Sequence, residues 1–244
     1  MENSSEQAKS PNYGLIALFI GIIYLFVQLG FFKTYIIHFP QFDGFKLLHH
    51  IHGMLMSGWM LLLIIQPLLI RAGKYKIHRF LGKLSYILAP LVLASMFLIV
   101  RLAYHEGLLT TPEKNIIPFT ALNIPQLFTF SLFYLLAIIH IHKGNTAKHI
   151  RYMIGTAIIM VPAGLARILI HYFQVGFDPA IFVSLYLQVG LAVAFLSYDL
   201  IKKNDYVPNL IIAASFIIST VIYIERHSDA YMAFGTFFAH TFFK

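Results

Sequence analysis

The stretch LLHHIHGMLMSGWMLLLIIQPLLI, residues 47–70, decides the class of this protein. It contains no Asp, Glu, Lys or Arg. Because a helix rises about 1.5 Å per residue, about 20 apolar residues are enough to cross the hydrocarbon core of a bilayer. The stretch therefore predicts a transmembrane helix, and one with three histidines near its start.

Six other stretches meet the same criterion, and the connections between them are short. Hydrophobic residues make up 59% of the 244-residue chain and charged residues only 11%, against about 25% charged in a soluble domain. The sequence therefore predicts an all-α, polytopic membrane bundle of about seven transmembrane helices. We expect Pro90 and Pro162 to kink the third and fifth helices, since neighbouring helices can satisfy the freed carbonyls. The predicted spans are residues 14–32, 47–70, 81–103, 119–141, 153–173, 179–201 and 208–224.

The chain divides into three parts by composition. Residues 1–12 form a polar N-terminal tail, residues 13–227 the transmembrane bundle, and residues 228–244 a short apolar C-terminal tail. Within the last part, residues 231–243 are apolar but too short to span a membrane. They are expected to lie in the membrane interface or to re-enter the protein.

The basic residues predict the orientation of the bundle. Of the 18 Lys and Arg residues, 11 fall on one side, which should face the cytoplasm. We therefore expect a multi-pass protein of the inner, cytoplasmic membrane with a cytoplasmic N-terminus. The lipid bilayer is its expected partner, and nucleic acid is not, because no basic stripe is interleaved with aromatics. The 11 residues are Lys9, Arg71, Lys74, Lys76, Arg79, Lys83, Lys143, Lys148, Arg151, Lys202 and Lys203.

Twelve histidines are many for a chain with so little polarity. Ionisable groups inside a membrane usually line a cavity, pair with each other or bind a ligand. Imidazole also ligates haem iron and transition metals, whereas thiolate sites are excluded because the chain has no cysteine. The predicted orientation sorts the histidines to two opposite faces, as a transmembrane electron carrier would require. His38, His49, His50, His52, His105, His171, His227 and His240 lie towards the outer face, and His78, His140, His142 and His149 towards the inner one.

Helix two offers the first candidate site. His49 and His52 are three residues apart and share a helix face, which Met56 and Trp59 continue. The two imidazoles are candidate ligands of a transition metal, or His52 of haem b, with His171 on helix five as a further cofactor ligand. The alternative is that these side chains mark the wet end of a helix at the headgroup level.

Arg167 is the basic residue that lies well inside a predicted span, on one helix face with Gly164, His171 and Gln174. A guanidinium at that depth needs a carboxylate, carbonyls or an anionic ligand such as a haem propionate. The alternative is that its side chain extends to the outer headgroups.

The inner face offers a second candidate site. His78 and His149 each stand at the start of an outgoing helix, beside Arg79 and Arg151. They are candidate paired axial ligands, with His140 as a competing ligand. The alternative is that they contact lipid phosphates.

Two other functions stay open from the sequence. One is a transporter or channel whose polar path uses Arg167, His171, Asn123 and Gln126. The other is a membrane assembly factor without a cofactor. The sequence contains no phosphate-binding glycine loop, no His-Glu-x-x-His and no nucleophile elbow, so it indicates no enzyme class and leaves open whether the protein is an enzyme.

Several motifs resemble a family of uncharacterised bacterial multi-pass membrane proteins. They are His52-Gly53, Trp59, Gln66, Arg71 and His78-Arg79-Phe80-Leu81-Gly82, then His149-Ile150-Arg151-Tyr152-Met153 with Ala166-Arg167, and Tyr198-Asp199-Leu200 before Lys202-Lys203. The resemblance implies the bundle architecture and no particular activity. A looser likeness is to transmembrane two-haem cytochromes b, which use one histidine from each of four consecutive helices. Here helix four has no outer histidine, so the likeness would pair His52 with His171 and imply haem b and an electron-transfer partner.

Overall fold

The computed structural model describes residues 11–244, and these residues are helical with no β-strand among them. Seven helical segments are long and apolar enough to cross a membrane, when α5 and α6 are counted as one interrupted segment. The predicted class, an all-α multi-pass membrane bundle, is confirmed. Residues 1–10, most of the predicted N-terminal tail, lie outside the described residues. The helices are α1 Tyr13–Phe32, α2 Leu47–Arg71, α3 Tyr75–Leu108, α4 Glu113–His142, α5 Thr146–Ile158, α6 Val161–Phe173, α7 Phe177–Ile201, α8 Val207–Ile224 and α9 Asp229–Phe242.

Successive helices pack side by side, so the connections lie at two ends of the bundle. We call one the basic end, because Arg71, Lys74, Arg79, Lys148 and Arg151 lie there. The other is the opposite end. Assigning the basic end to the cytoplasm stays a prediction.

Helix α5 occupies the middle of the basic end. It contacts α1, α2, α4, α7 and α8. Helix α6 continues the same span towards the opposite end, but it packs against α1 and α7 instead. The span is therefore interrupted between α5 and α6, and its two halves have different sets of neighbours.

Pro162 explains why this span is interrupted between α5 and α6. Proline has no N–H and its ring clashes with the carbonyl four residues earlier, which here belongs to Ile158. The structure goes beyond the predicted kink, since α5 ends at Ile158 and α6 begins at Val161 after a short turn. As expected for a membrane protein, a neighbouring helix satisfies the freed carbonyl: Gln188 Nε2 of α7 donates to it at 3.2 Å.

Two glycines fix the path of α6 along α1. A Cβ atom added to Gly164 would come within 2.9 Å of the Val27 Cα, and one added to Gly30 would meet the Gly164 carbonyl. The two backbones therefore touch directly, which is the packing that small residues permit between membrane helices. This contact sets the position of Arg167, one turn further along α6.

The short C-terminal helix α9 lies against α4 rather than apart from the bundle. Tyr231 and Phe238 are buried, and the Tyr231 hydroxyl is 2.8 Å from the hydroxyl of Thr120. The carbonyl of Phe243 accepts a hydrogen bond from Arg101 Nε at 2.8 Å. The apolar tail therefore completes the protein surface at the opposite end.

Candidate cofactor sites

His52 on α2 is held in one tautomer by Ser95 on α3. His52 Nδ1 lies 3.1 Å from Ser95 Oγ, and that hydroxyl donates its own proton to the Val92 carbonyl at 2.8 Å. A hydroxyl has one proton, so Ser95 Oγ must accept from His52 Nδ1–H. The lone pair of the neutral imidazole is therefore on Nε2.

His49 has a different role from its neighbour. Its Nδ1 accepts a hydrogen bond from the Lys46 backbone N–H at 3.0 Å, which caps the start of α2. Within residues 11–244, no three His, Cys, Asp or Glu side chains are grouped so that they could hold a metal ion. A metal site at His49 and His52 stays a prediction that this arrangement does not favour.

The alternative interpretation, that these side chains of α2 lie at the headgroup level, is wrong for Trp59. Trp59 is fully buried, and its indole N–H donates to Thr156 Oγ1 of α5 at 3.3 Å. Its ring contacts Phe130 and Tyr134 of α4. The face of α2 that begins with His52 therefore points into the protein.

Arg167 lies near His52, within electrostatic range of its imidazole. Its Nη1 donates to the Ala163 carbonyl at 2.9 Å, and its guanidinium lies 4.1 Å from the centre of the Phe31 ring. No carboxylate of the described residues forms an ion pair with it. The arginine charge is therefore unpaired within residues 11–244.

His171, the third candidate at this end, lies in the last turn of α6. Its backbone carbonyl accepts a hydrogen bond from Lys33 Nζ at 2.9 Å, and the same ammonium lies 4.2 Å from the Tyr172 ring centre. These contacts join the ends of α1 and α6. They give the imidazole of His171 no role as a ligand, so its pairing with His52 stays a prediction.

At the basic end, His149 on α5 is anchored in the same way as His52. Its Nδ1 lies 3.0 Å from the backbone carbonyl of Ala137 on α4. A carbonyl can only accept, so Nδ1 carries the proton and Nε2 keeps the lone pair. His78 lies within electrostatic range of His149, as the predicted pairing requires.

Unsatisfied polar atoms surround His78. Its Nδ1 is buried without a hydrogen-bond partner in the described chain, and so are both amide atoms of Gln66 on α2. Gly82, one turn beyond His78, lies close to Gln66: a Cβ atom added to Gly82 would be 3.7 Å from Gln66 Nε2. Buried polar groups without partners are rare and mark sites for water or a ligand.

His140, the competing inner ligand, is held by an aromatic contact. Its ring stacks on Tyr152 with centroids 5.7 Å apart and planes 12° from parallel. Tyr152 is fully buried. His140 therefore packs against α5.

A buried ion pair beside His149 was not foreseen from the sequence. Arg151 of α5 binds Asp199 of α7 through two hydrogen bonds, Nε to Oδ2 at 2.8 Å and Nη2 to Oδ1 at 2.7 Å. Asn204 and Asn209 also donate to this carboxylate, at 3.0 and 2.6 Å. Asp199 is 2% exposed. The sequence signal was a single carboxylate near a span end, with no indication of its partner.

The proposed polar path of a transporter is only partly recognisable. Asn123 is exposed on α4 and donates to the Phe119 carbonyl of its own helix at 3.3 Å. Gln126 Oε1 is buried and, among residues 11–244, has no partner. The structure gives these two amides no shared contact with Arg167.

The two histidine sites lie at different depths. His52 and Gln66 bracket the inward face of α2 and are 14 positions apart, which corresponds to about 21 Å along the helix. The outer site is built from α2, α3 and α6, and the inner one from α2, α3 and α5.

Comparison of the chain with family models, with curated proteins and with solved structures finds no match, so the resemblance to the His-Gly family stays a prediction.

Proposed function

We propose that this membrane protein is a transmembrane electron carrier that holds haem b through His149 near the basic end and through His52 near the opposite end. One observation carries the proposal. Both imidazoles are fixed through Nδ1–H to an oxygen acceptor, which leaves Nε2 as the basic nitrogen. Histidines that ligate metals are oriented in this way, since the second hydrogen bond sets the tautomer and the direction of the ring.

The arrangement favours haem over a bare metal ion. A protein-bound zinc ion takes three or four protein ligands, whereas the porphyrin supplies four of the ligands of haem iron and the protein only one or two. His78, near His149, would supply the second axial ligand of an inner haem. Arg167, near His52, would neutralise a propionate of an outer one. Haem held by His52 at one end and by His149 at the other would supply one-electron carriers near the two faces of the membrane.

The test is the visible spectrum of the protein purified in detergent from cells that make haem. We expect a Soret band and a reduced-minus-oxidised α band. His149→Ala and His52→Ala should each lose about half of the bound haem, as one of two sites each. His142→Ala and His50→Ala are matched controls at the same two ends and should keep it.

A purified protein without a Soret band would overturn the proposal. Retention of full haem content in both His149→Ala and His52→Ala would overturn the assignment of the ligands. If the protein has no Soret band, the interrupted span α5–α6 favours transport, since transporters often bind substrate where a membrane helix is broken.

Ser95→Ala tests the role of the tautomer itself. Ser95 is a positioning residue that would touch the haem only through His52. Losing such an outer hydrogen bond typically weakens metal binding by about 10- to 100-fold, and Ser95→Thr, which restores the hydroxyl, should rescue it. A purely structural role would lower the melting temperature of the apoprotein without changing the reduction potential of the outer haem.

A further inference from the structure

The charge of Arg167 has no protein counter-ion within residues 11–244. Three carboxylates at the opposite end of the bundle are engaged by other residues: Glu106 pairs with Lys46 at 2.8 Å, and Asp178 pairs with Arg226 at 2.9 Å. Glu113 lies 2.8 Å from His240 and accepts a hydrogen bond from Tyr104. The sequence allowed three kinds of partner for Arg167: a carboxylate, carbonyls or an anionic ligand. Within residues 11–244, no carboxylate pairs with it, and one carbonyl, that of Ala163, accepts a hydrogen bond from it.

The direction of the side chain excludes extension to the headgroups. Arg167 lies six positions before the end of the span at Phe173, but its Nη1 bonds to Ala163, one turn further from that end. Helical side chains lean towards the N-terminus of their helix, which here is the middle of the membrane. Lys33 is a contrast, because its ammonium lies at the very end of the span on the His171 carbonyl.

Arg167 is mostly but not completely buried. Protein atoms surround the guanidinium on most sides, and yet part of the residue stays accessible. The Phe31 ring covers one face of the guanidinium. A guanidinium has five N–H donors, and the contacts above use one of them for a hydrogen bond. Burying a charge in this way is costly unless an anion compensates it.

We infer that Arg167 is the centre of a binding site for an acidic oxygen group, a carboxylate or a phosphate, that enters the bundle at the opposite end. The guanidinium fork matches two oxygen atoms of such a group. The inference does not rest on haem binding, although a haem propionate is one source of this chemistry.

The same chemistry has three sources, and ligand binding to the apoprotein in a non-ionic detergent separates them. The probes are inorganic phosphate, oleate and haem, each followed by the shift of the melting temperature and by titration calorimetry. Stabilisation by phosphate identifies a free anion, stabilisation by oleate alone identifies an amphiphile, and stabilisation by haem alone identifies a propionate. Oleate or phosphate binding by a protein without a Soret band would support this site while overturning the proposed function.

The variants make the site falsifiable. Arg167→Gln should weaken binding of the effective probe at least 10-fold and should raise the melting temperature of the ligand-free protein, because it removes an uncompensated charge. Arg167→Lys keeps the charge and loses the fork, so its affinity should be intermediate. Lys33→Gln is the control at the same end and should bind as the wild type does. If no probe stabilises the wild type, or if Arg167→Gln binds with unchanged affinity, the inference is wrong.

Discussion

The side-chain amide of Gln188 on α7 donates a hydrogen bond to the backbone carbonyl of Ile158 on α5, the carbonyl that Pro162 leaves without a helical partner. This bond stabilises the interruption between α5 and α6 in the interior of the bundle, where water is excluded. Because the interruption is satisfied, α6 can leave the centre and pack on α1. The position of Arg167 on α6 follows from it.

Gln188→Leu should destabilise the folded protein by about 1–2 kcal/mol, since it leaves the Ile158 carbonyl buried without a donor. In a Pro162→Ala background the loss should be smaller, because an alanine at this position has the backbone N–H that proline lacks. The measurement is a double-mutant cycle on the free energy of unfolding in detergent micelles, with the exposed Gln41→Leu as control. Equal losses in both backgrounds would show that the amide does not serve this carbonyl.

Gly164→Val should separate α6 from α1. Its side chain would meet the Val27 backbone at a distance that real Cβ atoms do not show, so one helix must move. Overpacking of this kind costs about 1–3 kcal/mol or more, and backbone atoms cannot turn aside as a side chain can. Gly21→Val is the matched control, because an added Cβ there meets nothing within 4 Å. Thermal unfolding of the two variants should differ clearly, and similar melting temperatures would contradict direct backbone contact.

The two aspartates at the basic end should differ greatly in importance. Asp199→Asn leaves the partly buried Arg151 without its counter-charge, and breaking such a pair costs about 3–5 kcal/mol. Asp205→Asn removes the partner of Lys148, but the Asp205 side chain is 45% exposed, so the cost should stay below about 1 kcal/mol. Chemical denaturation in the same detergent measures the free energy of unfolding of both variants. A larger loss for Asp205→Asn than for Asp199→Asn would contradict the prediction.

Acid should remove the contribution of the Asp205–Lys148 pair in a defined range of pH. The hydrogen bond from Lys148 holds the pKa of Asp205 below its ordinary value of 3.8. A carboxylate whose pKa is lowered by folding contributes stability above its unfolded pKa and loses it as the pH falls through the folded one. The difference in melting temperature between wild type and Lys148→Met should therefore be constant above about pH 5 and shrink as the pH falls below about 4, towards the lowered pKa of Asp205. Fluorescence of Trp59, the one tryptophan, reports the transition. A difference that does not shrink at any pH below about 4 would argue that Lys148 acts through packing.

The class of the protein and the number of its spans could be predicted from sequence because these are properties of single segments. Residues 47–70 are apolar enough to span a membrane whatever surrounds them, and Pro162 removes a backbone donor in any context. The histidines could be sorted to two ends for the same reason, since depth follows from the position along a span. The ends of α3 were missed, because its polar turns extend the helix to Tyr75 and Leu108 beyond the apolar part.

The partners of the polar side chains were decided only by the tertiary structure. His52 and Ser95 are 43 positions apart, and Arg151 and Asp199 are 48 apart. Whether such residues meet depends on the rotation and depth of two packed helices, which the Gly30–Gly164 contact and the interruption at Pro162 determine together. His49 and His52 lie side by side in the sequence and look equivalent, yet one caps α2 while the other faces Ser95 inside the bundle. The sequence by itself therefore determined that charge and imidazole lie within the membrane. The packing of the helices decided that Arg167 has no counter-ion in the described chain and that His52 and His149 keep Nε2 free, because both depend on what the neighbouring helices bring within hydrogen-bonding distance.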